Sequence, residues 1–589
     1  MMISTIFKLC CLLPWITAAS EDKLNRPNII LILADDLGWN DVSFHGSNQI
    51  PTPNIDALAY SGIILNNYYV QPICTPTRSA LLTGRYPIHT GLQHVVIRGA
   101  QPYGLALDET IIPQYLNPKG YKSHIVGKWH LGFCSWEYTP TYRGFHSHYG
   151  YFLGEEDYWD HTSWAEGGKL KGLDFRHNKE LIKDALGEYS TELFTRETEA
   201  IINKHNTSEP LFMYLPHQAV HSGNTVTPLE APKKYTDKLG NIQNKKRRLF
   251  GGVVSALDDS IGNVTRALHK RGMLNNTIII FSTDNGGPAN GFQGNVASNW
   301  PLRGTKTQLW EGGVRGAGFA WSPLFKKQGY VSEQLMHVSD WLPTILHAAG
   351  VDTDTTTEKP IDGVDQFDTL SNNEASNRKE ILLNIDPLDN TSAIRIGDYK
   401  VISGELYNGK WSGWYPPYKL PYGDPNTDTL NSLGSNDHDK DNKDNEFVVN
   451  MQQHKDDMEQ FSDNTLEVND NIQTGREPND LAAILAQYTN TPAREPSPVV
   501  VKCGPKPSNA STNCKPAIAP CLYNLAVDPC EYNNIADSHP DILKQLLAKI
   551  AMYNATMVAP RNKPEDPAGF PSKHDWAWVP WLNLTDIDN

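Results

Sequence analysis

The apolar positions of the chain gather into short runs, and each run ends in polar residues of a distinctive kind. Asn28-Ile29-Ile30-Leu31-Ile32-Leu33-Ala34 is a continuous apolar stretch of strand length, the mark of a parallel strand buried on both faces. It ends in Asp35-Asp36-Leu37-Gly38. The layout recurs at Asn276-Thr277-Ile278-Ile279-Ile280-Phe281-Ser282-Thr283, which ends in Asp284-Asn285-Gly286-Gly287. Two further strands are predicted at Tyr121–Val126 and Leu211–Leu215. They run into Gly127-Lys128-Trp129-His130 and Pro216-His217-Gln218-Ala219-Val220-His221. Helical segments at Asp56–Tyr60, Thr191–Lys204 and Lys246–His269 lie between them, so strand and helix alternate as in an α/β fold.

In open α/β sheets ligands collect beyond the carboxyl ends of strands, where these polar groups stand. Asp35, Asp36, Asp284 and Asn285 offer hard oxygens without thiolates or a paired histidine motif, a set that favours Ca²⁺ or Mg²⁺ over Zn²⁺. Lys128 and His130, two apart on an extended segment, share one face. A further stretch, Cys74-Thr75-Pro76-Thr77-Arg78, precedes the helix-compatible Ser79-Ala80-Leu81-Leu82-Thr83-Gly84-Arg85. A helical first turn offers unpaired N–H groups and a positive dipole end, so Cys74 stands at an anion site.

Cys74 to Arg78 with the trailing Thr83-Gly84-Arg85 resembles the signature of the type I sulfatases. The resemblance runs from about Pro27 to Asp386, through Asn299–Lys306, Leu309–Gly316, Asp340-Trp341-Leu342-Pro343-Thr344 and Asn384-Ile385-Asp386-Pro387. It implies an alkaline-phosphatase-like α/β sandwich with a large central mixed sheet and a smaller C-terminal α+β domain that closes one side of the cleft. It also implies that a formylglycine-generating enzyme oxidises Cys74 to Cα-formylglycine, and that Asp35, Asp36, Asp284, Asn285 and residue 74 hold one calcium ion. In the implied mechanism a gem-diol at position 74 attacks sulfur while Lys128 and Lys306 hold the nonbridging oxygens. His221 protonates the leaving oxygen, His130 deprotonates the second hydroxyl to expel sulfate, and Arg78 fixes the diol and the carboxylates. His217 falls where the family requires no histidine and reads as a supporting or structural residue. The loop Asn299–Gly316 is most similar to the arylsulfatase B branch, N-acetylgalactosamine-4-sulfatases. Dermatan or chondroitin sulfate is accordingly the first substrate expectation, with small sulfated metabolites as the other.

Composition places this chemistry in a compartment. The 589-residue chain suits two domains: a catalytic one over about 26–390 and a C-terminal one over 391–589. The apolar run Phe7–Ile16, followed by Thr17-Ala18-Ala19-Ser20, reads as a signal peptide over 1–20, too short to span a bilayer. Seven Asn-x-Ser/Thr sites (Asn206, Asn263, Asn275, Asn390, Asn509, Asn554, Asn583) agree with a secretory route, lysosomal or extracellular. Beyond the leader, Cys503, Cys514, Cys521 and Cys530 suit two local disulfides in any of three connectivities, and Cys134 is left unpaired. A formal net charge of −15 excludes a nucleic-acid partner and is unfavourable for a polyanion, although protonation of the 19 histidines in acid would outweigh it. Residues 424–495, rich in Asp and Asn, are expected to form a largely disordered insertion. Lys245-Lys246-Arg247-Arg248 reads as a solvated helix face or an exosite for a sulfated chain. Trp576, Trp578 and Trp581 read as packing anchors or a sugar site.

Two alternatives carry other chemistry. A phosphodiesterase of the wider superfamily would need a two-metal site and a Ser or Thr nucleophile, which the Cys-x-Pro-x-Arg signature opposes. A non-catalytic sulfated-glycan binder would keep the pocket without the oxidised cysteine.

Overall fold

A computed structural model describes residues 26–165, 170–352, 359–417, 480–489 and 497–586. The proposed signal peptide and most of the Asp/Asn-rich insertion lie outside them. The strands are β1 (Asn28–Ala34), β2 (Ile63–Tyr69), β3 (Lys122–Lys128), β4 (Ser147–Tyr151), β5 (Thr162–Ala165), β6 (Leu170–Leu173), β7 (Arg176–His177), β8 (Glu180–Leu181), β9 (Leu211–Pro216), β10 (Thr277–Thr283), β11 (Gly318–Trp321), β12 (Tyr330–His337), β13 (Glu380–Asp386), β14 (Thr391–Ile396), β15 (Tyr399–Ser403) and β16 (Cys521–Asn524).

Ten of them form one mixed sheet in the order β12-β2-β11-β10-β1-β9-β3-β4-β7-β8. Its centre is parallel: β1 pairs with both β10 and β9, and β9 with β3. Alternation along β1 explains why its run is apolar throughout. Ile30, Ile32 and Ala34 pack into the core that holds the helices Pro53–Ser61, Ser190–Lys204 and Lys245–Lys270, whereas Ile29, Leu31 and Leu33 pack into the core on the opposite face, with Cys74–Thr83 and Trp341–Ala348. The large sandwich inferred from the resemblance is therefore present. All four expected strands and the three expected helices occur within a few residues of their predicted bounds.

A second, antiparallel sheet, β13-β14-β15-β16, carries the helix Pro540–Asn554 and forms the smaller domain. Its first strand begins at Glu380 and its second at Thr391, and the first is buried along nearly its whole length. Disulfides Cys503–Cys530 and Cys514–Cys521 choose one of the three connectivities.

Three surface readings change. Arg247 of the basic run is buried, with Nη1 2.7 Å from Asp41 and Nε donating to Gln49 Oε1 at 3.1 Å, so that residue is a core anchor rather than part of a solvated face. Within the span expected to be disordered, Asp480–Leu485 is helical and buries Leu481 and Leu485 against the helix-bearing core. Cys134 is unpaired and buried beside Tyr138; its carbonyl accepts from the backbone N–H of Trp581 (3.0 Å) and Leu582 (2.9 Å). The chain's last stretch thus straps back over the catalytic domain. Trp578 is its fully buried anchor, while Trp576 is 67% exposed.

Candidate active site

The four neighbouring strands β10, β1, β9 and β3 deliver the polar groups to one end of the sheet. Because β1 and β10 run in register from Asn28↔Thr277 to Ala34↔Thr283, Asp35-Asp36 and Asp284-Asn285 emerge side by side. Lys128 is the last residue of β3, and His221 follows β9. The fifth contribution comes from the helix Cys74–Thr83, whose first residue is the cysteine. Arg78 lies one turn later on the same helix face.

These side chains interlock. Arg78 Nη2 lies 3.2 Å from Asp35 Oδ2 and 3.0 Å from Asp284 Oδ2, and Nη1 donates to the Lys128 carbonyl at 3.3 Å. Lys128 Nζ pairs with Asp35 Oδ2 as well. Asp36 accepts from Asn285 Nδ2 through Oδ1 (2.7 Å) and from Lys306 Nζ through Oδ2 (2.7 Å). The Cys74 thiol faces Asp35 Oδ1 at 3.7 Å. Asp36 and His130 hold φ angles of 61° and 59°, the left-handed region that ordinary residues avoid. Gly154 makes room for His130: a Cβ there would come within 2.5 Å of the imidazole.

The cluster has open valences. Ligand atoms of Asp35, Asp36, Cys74 and Asp284 lie within 4.8 Å of one another, and the buried Asn285 Oδ1 has no hydrogen-bond partner. Carboxylate and amide oxygens with an orphaned buried carbonyl among them fit a hard divalent cation of the calcium type. Burial opposes the charge on Asp35, but Lys128, His221 and Arg78 overcome it and hold the carboxyl below its usual range. Burial pushes the Cys74 thiol far up, so an unmodified cysteine here is a neutral thiol and a poor nucleophile.

Lys306, buried on the loop after β10, completes the ring of cations. Its Nζ bonds Asp36, His221 Nε2 (3.1 Å) and Gln293 Oε1 (3.1 Å), and Asp36 keeps it charged against its burial. His221 Nδ1 lies 2.6 Å from the Ser222 carbonyl, which fixes the proton on Nδ1 and makes Nε2 the acceptor toward Lys306. His130 Nε2 donates to the Ile97 carbonyl at 3.0 Å, leaving the Nδ1 lone pair without a partner. Burial, with Lys128 and Arg78 adding to it, holds that imidazole neutral. His217 stays behind the site, with Nε2 3.2 Å from Ser260 Oγ of the long helix.

Cys74, His130, His221 and Lys306 open onto one cavity of about 600 Å³. Its outer walls bring in residues that sequence reasoning did not single out: Arg98, Glu155, Trp164, Phe292 and Gln293. Gln293 alone carried a usable signal, as the polar residue between Phe292 and Gly294 in the segment joining β10 to Lys306. The smaller domain reaches this wall through Trp411, whose ring lies 5.0 Å from Phe292.

The chain matches the family model described as Sulfatase over residues 27–351, a span that includes every residue of the cluster. It is 36% identical over 577 residues to arylsulfatase J of Mus musculus, covering 95% of this chain and 80% of that one. It is 32% identical over 356 residues to N-acetylgalactosamine-6-sulfatase of Homo sapiens, covering 58% and 66%. Among solved structures, Ps i-CgsB superposes with a TM-score of 0.65 at 24% identity, over 91% of this chain and 94% of that one, a likeness of fold. Family match, relatives and site agree: the chain belongs to the sulfatase family and is a sulfuric ester hydrolase.

Proposed function

We propose that the protein hydrolyses a sulfate monoester of a sugar or aryl ring, with Cys74 converted to Cα-formylglycine by a formylglycine-generating enzyme and one calcium ion held by Asp35, Asp36, Asp284, Asn285 and residue 74. The observation that carries this reading is the joint placement of Cys74 at a helix N-terminus, the open oxygen cluster around it, and two cations and two histidines about the same point. Calcium would supply positive charge to the sulfuryl oxygens, and the hydrated aldehyde would supply the attacking hydroxyl in place of the neutral thiol.

The chain's own residues do the rest. Lys128 and Lys306 face the nonbridging oxygens from fixed positions, each anchored by an aspartate, so little reorganisation accompanies charge development. The proton shared between Lys306 Nζ and His221 Nε2 goes to the departing oxygen. His130 Nδ1, neutral and unpartnered, takes the proton whose loss releases sulfate. Arg78 holds Asp35 and Asp284 in place.

The 4-sulfated N-acetylgalactosamine suggested by the Asn299–Gly316 loop is one ring that meets this description. A secretory location, lysosomal or extracellular, is supported by the exposed sequons Asn206, Asn275, Asn390, Asn509, Asn554 and Asn583, and no described helix is long and apolar enough to cross a membrane. The test is peptide mass spectrometry across residues 69–85 on protein from a secretory host, paired with release of sulfate from 4-methylumbelliferyl sulfate. An aldehyde, about 18 Da below the thiol, together with turnover supports the mechanism. A plain thiol in a host that converts other sulfatases, with ligand bound but no sulfate released, favours a sulfated-glycan binder.

A further inference from the structure

The cavity beyond the sulfate-facing groups bears on which ester is admitted, an inference that rests on the sulfatase reading of the same site. Its outer walls present two aromatic rings, Trp164 of β5 and Phe292, and two charged groups, Arg98 and Glu155. Glu155 follows β4 and stands opposite the segment that carries Lys306. Gln293 fixes it: Nε2 donates to Glu155 Oε2 at 3.2 Å, while Oε1 accepts from Lys306 Nζ at 3.1 Å. Gln293 makes this bridge with φ at 55°, a left-handed conformation held by the surrounding contacts. Among the described residues no Lys, Arg or His forms an ion pair with Glu155, and Oε1 has no protein partner. A site built for an anion therefore carries a clamped carboxyl on its outer wall; burial pushes it up to about 7 against the pull of Lys306 and Lys128, so it stands as a carboxylate above that pH.

Such a group costs affinity for any anion and is retained to advantage where it separates one anionic ligand from another. A sulfated polymer brings further sulfates or carboxylates within a few ångströms of the reacting ester. Against them the outer wall offers one cation, Arg98, and one anion, Glu155, so the wall has no net charge with which to hold a second negative group. A single uncharged ring meets no such opposition. It can lie against Trp164 or Phe292 and donate a hydroxyl to Glu155 Oε1.

We propose that Glu155, clamped by Gln293, is a specificity-determining residue that restricts the enzyme to sulfate esters of a single uncharged ring and rejects leaving groups with a second anionic group beside the reacting sulfate. Chondroitin or dermatan chains are then poor substrates, and singly sulfated sugars or aryl sulfates are good ones.

The test compares N-acetylgalactosamine 4-sulfate monosaccharide with a chondroitin 4-sulfate tetrasaccharide, reading sulfate release at fixed ionic strength and at a pH above the Glu155 value of about 7, where its carboxylate is charged, for the wild type and Glu155→Gln. The wild type should favour the monosaccharide. Glu155→Gln should raise the tetrasaccharide-to-monosaccharide ratio of kcat/KM about tenfold, and added salt should narrow the difference between the two proteins. A wild type that prefers the tetrasaccharide, or a ratio within about twofold between the proteins, overturns the proposal. So does an equal loss on both substrates, which would mark Glu155 as only a support for Lys306 through Gln293. Calorimetric binding of the same two ligands to Cys74→Ala and to Cys74→Ala/Glu155→Gln reads the ratio without turnover. A wild type that cleaves neither ester while the binding ratio shifts would defeat the sulfatase mechanism and leave the Glu155 assignment standing.

Discussion

Two clusters of buried charge lie in this molecule, built from the same residue types and put to different ends. In the first, between the two sheets, Lys400 Nζ lies 2.9 Å from both Glu311 and Glu531, Glu311 Oε2 accepts from Tyr69 at 2.8 Å, and Glu531 Oε2 accepts from the Glu311 backbone N–H at 2.9 Å. Three of the four carboxylate oxygens there accept a hydrogen bond, and the fourth, Glu531 Oε1, is neutralised by the Lys400 ammonium beside it. In the second, around Cys74, three aspartates meet Arg78, Lys128 and Lys306, yet Asn285 Oδ1 and His130 Nδ1 have none, and Asp35 Oδ1 faces only a thiol. Both clusters hold residues with left-handed backbone, Glu531 in one and Asp36 and His130 in the other, so strain does not distinguish them. Open valence facing a cavity does. A closed network fixes how two sheets meet; an open one is set to receive a ligand.

The largest effect that would sharpen this contrast comes from Cys74→Ala. Sulfate release should fall by at least about 10³-fold, because no other side chain in the cavity replaces the nucleophile, while the melting temperature should stay close to that of the wild type. Activity surviving at a tenth of wild type would break the assignment. Next in size is Lys400→Met in the closed cluster. It leaves Glu531 buried without a cation and Glu311 with only Arg315 at 3.8 Å, and should destabilise the fold by about 3–5 kcal/mol, with kcat per folded molecule retained. Denaturant titration beside active-site counting checks this, and a loss of kcat without loss of stability would reverse the roles given to the two clusters.

Third, Asn285→Ala removes the orphaned carbonyl. Calcium affinity, read by calorimetry after chelation, should weaken by about 10–100-fold. The substitution also removes the Nδ2 bonds to Asp36 Oδ1 and the Gly286 carbonyl, so about 1–3 kcal/mol of stability should go with it. An ion affinity equal to wild type would mean that the open oxygen is not a ligand.

The strands that build the open cluster were legible in the sequence because a doubly buried parallel strand must be apolar throughout, and polar residues at its end then stand out. All ten residues named for the metal and the chemistry converge around Cys74. Lys306 was found only through its flanking match, since nothing local marks a loop lysine as buried. Glu155, Trp164 and Arg98 stayed hidden because they come from separate segments, two loops and strand β5, that only tertiary packing brings to one wall. The closed cluster was invisible for the same reason: Glu311, Lys400 and Glu531 are far apart in the chain and each reads as a surface charge. Arg247 was misplaced by this kind of local reading, since its partner Asp41 is remote in sequence.

The smallest effect, dependence of stability on pH, tests whether closed burial is held at a cost. Burial raises Asp258 to about 7 and Glu156 to about 8, and it raises Glu531, which shares one lysine with Glu311. A carboxyl with a raised folded-state pKa contributes stability that is complete below its unfolded pKa near 4 and is lost as pH climbs through 7 to 8. Burial also lowers His45, His148 and His217 to about 3, and their contribution runs the other way, complete above about 6.5 and lost as pH falls toward 3. Between about 4 and 6.5 the two sets oppose each other, and above 6.5 only the carboxyls change. The melting temperature should therefore be nearly level in mild acid and fall by a few degrees toward pH 8.5, where self-repulsion from a net charge of −15 acts in the same direction. Asp258→Asn removes one of the titrating groups and should make the alkaline decline shallower. A melting temperature that rises between pH 6.5 and 8.5 would mean that these carboxyls are ionised in the folded protein, and that burial in the closed parts of the fold is no dearer than in the open cluster.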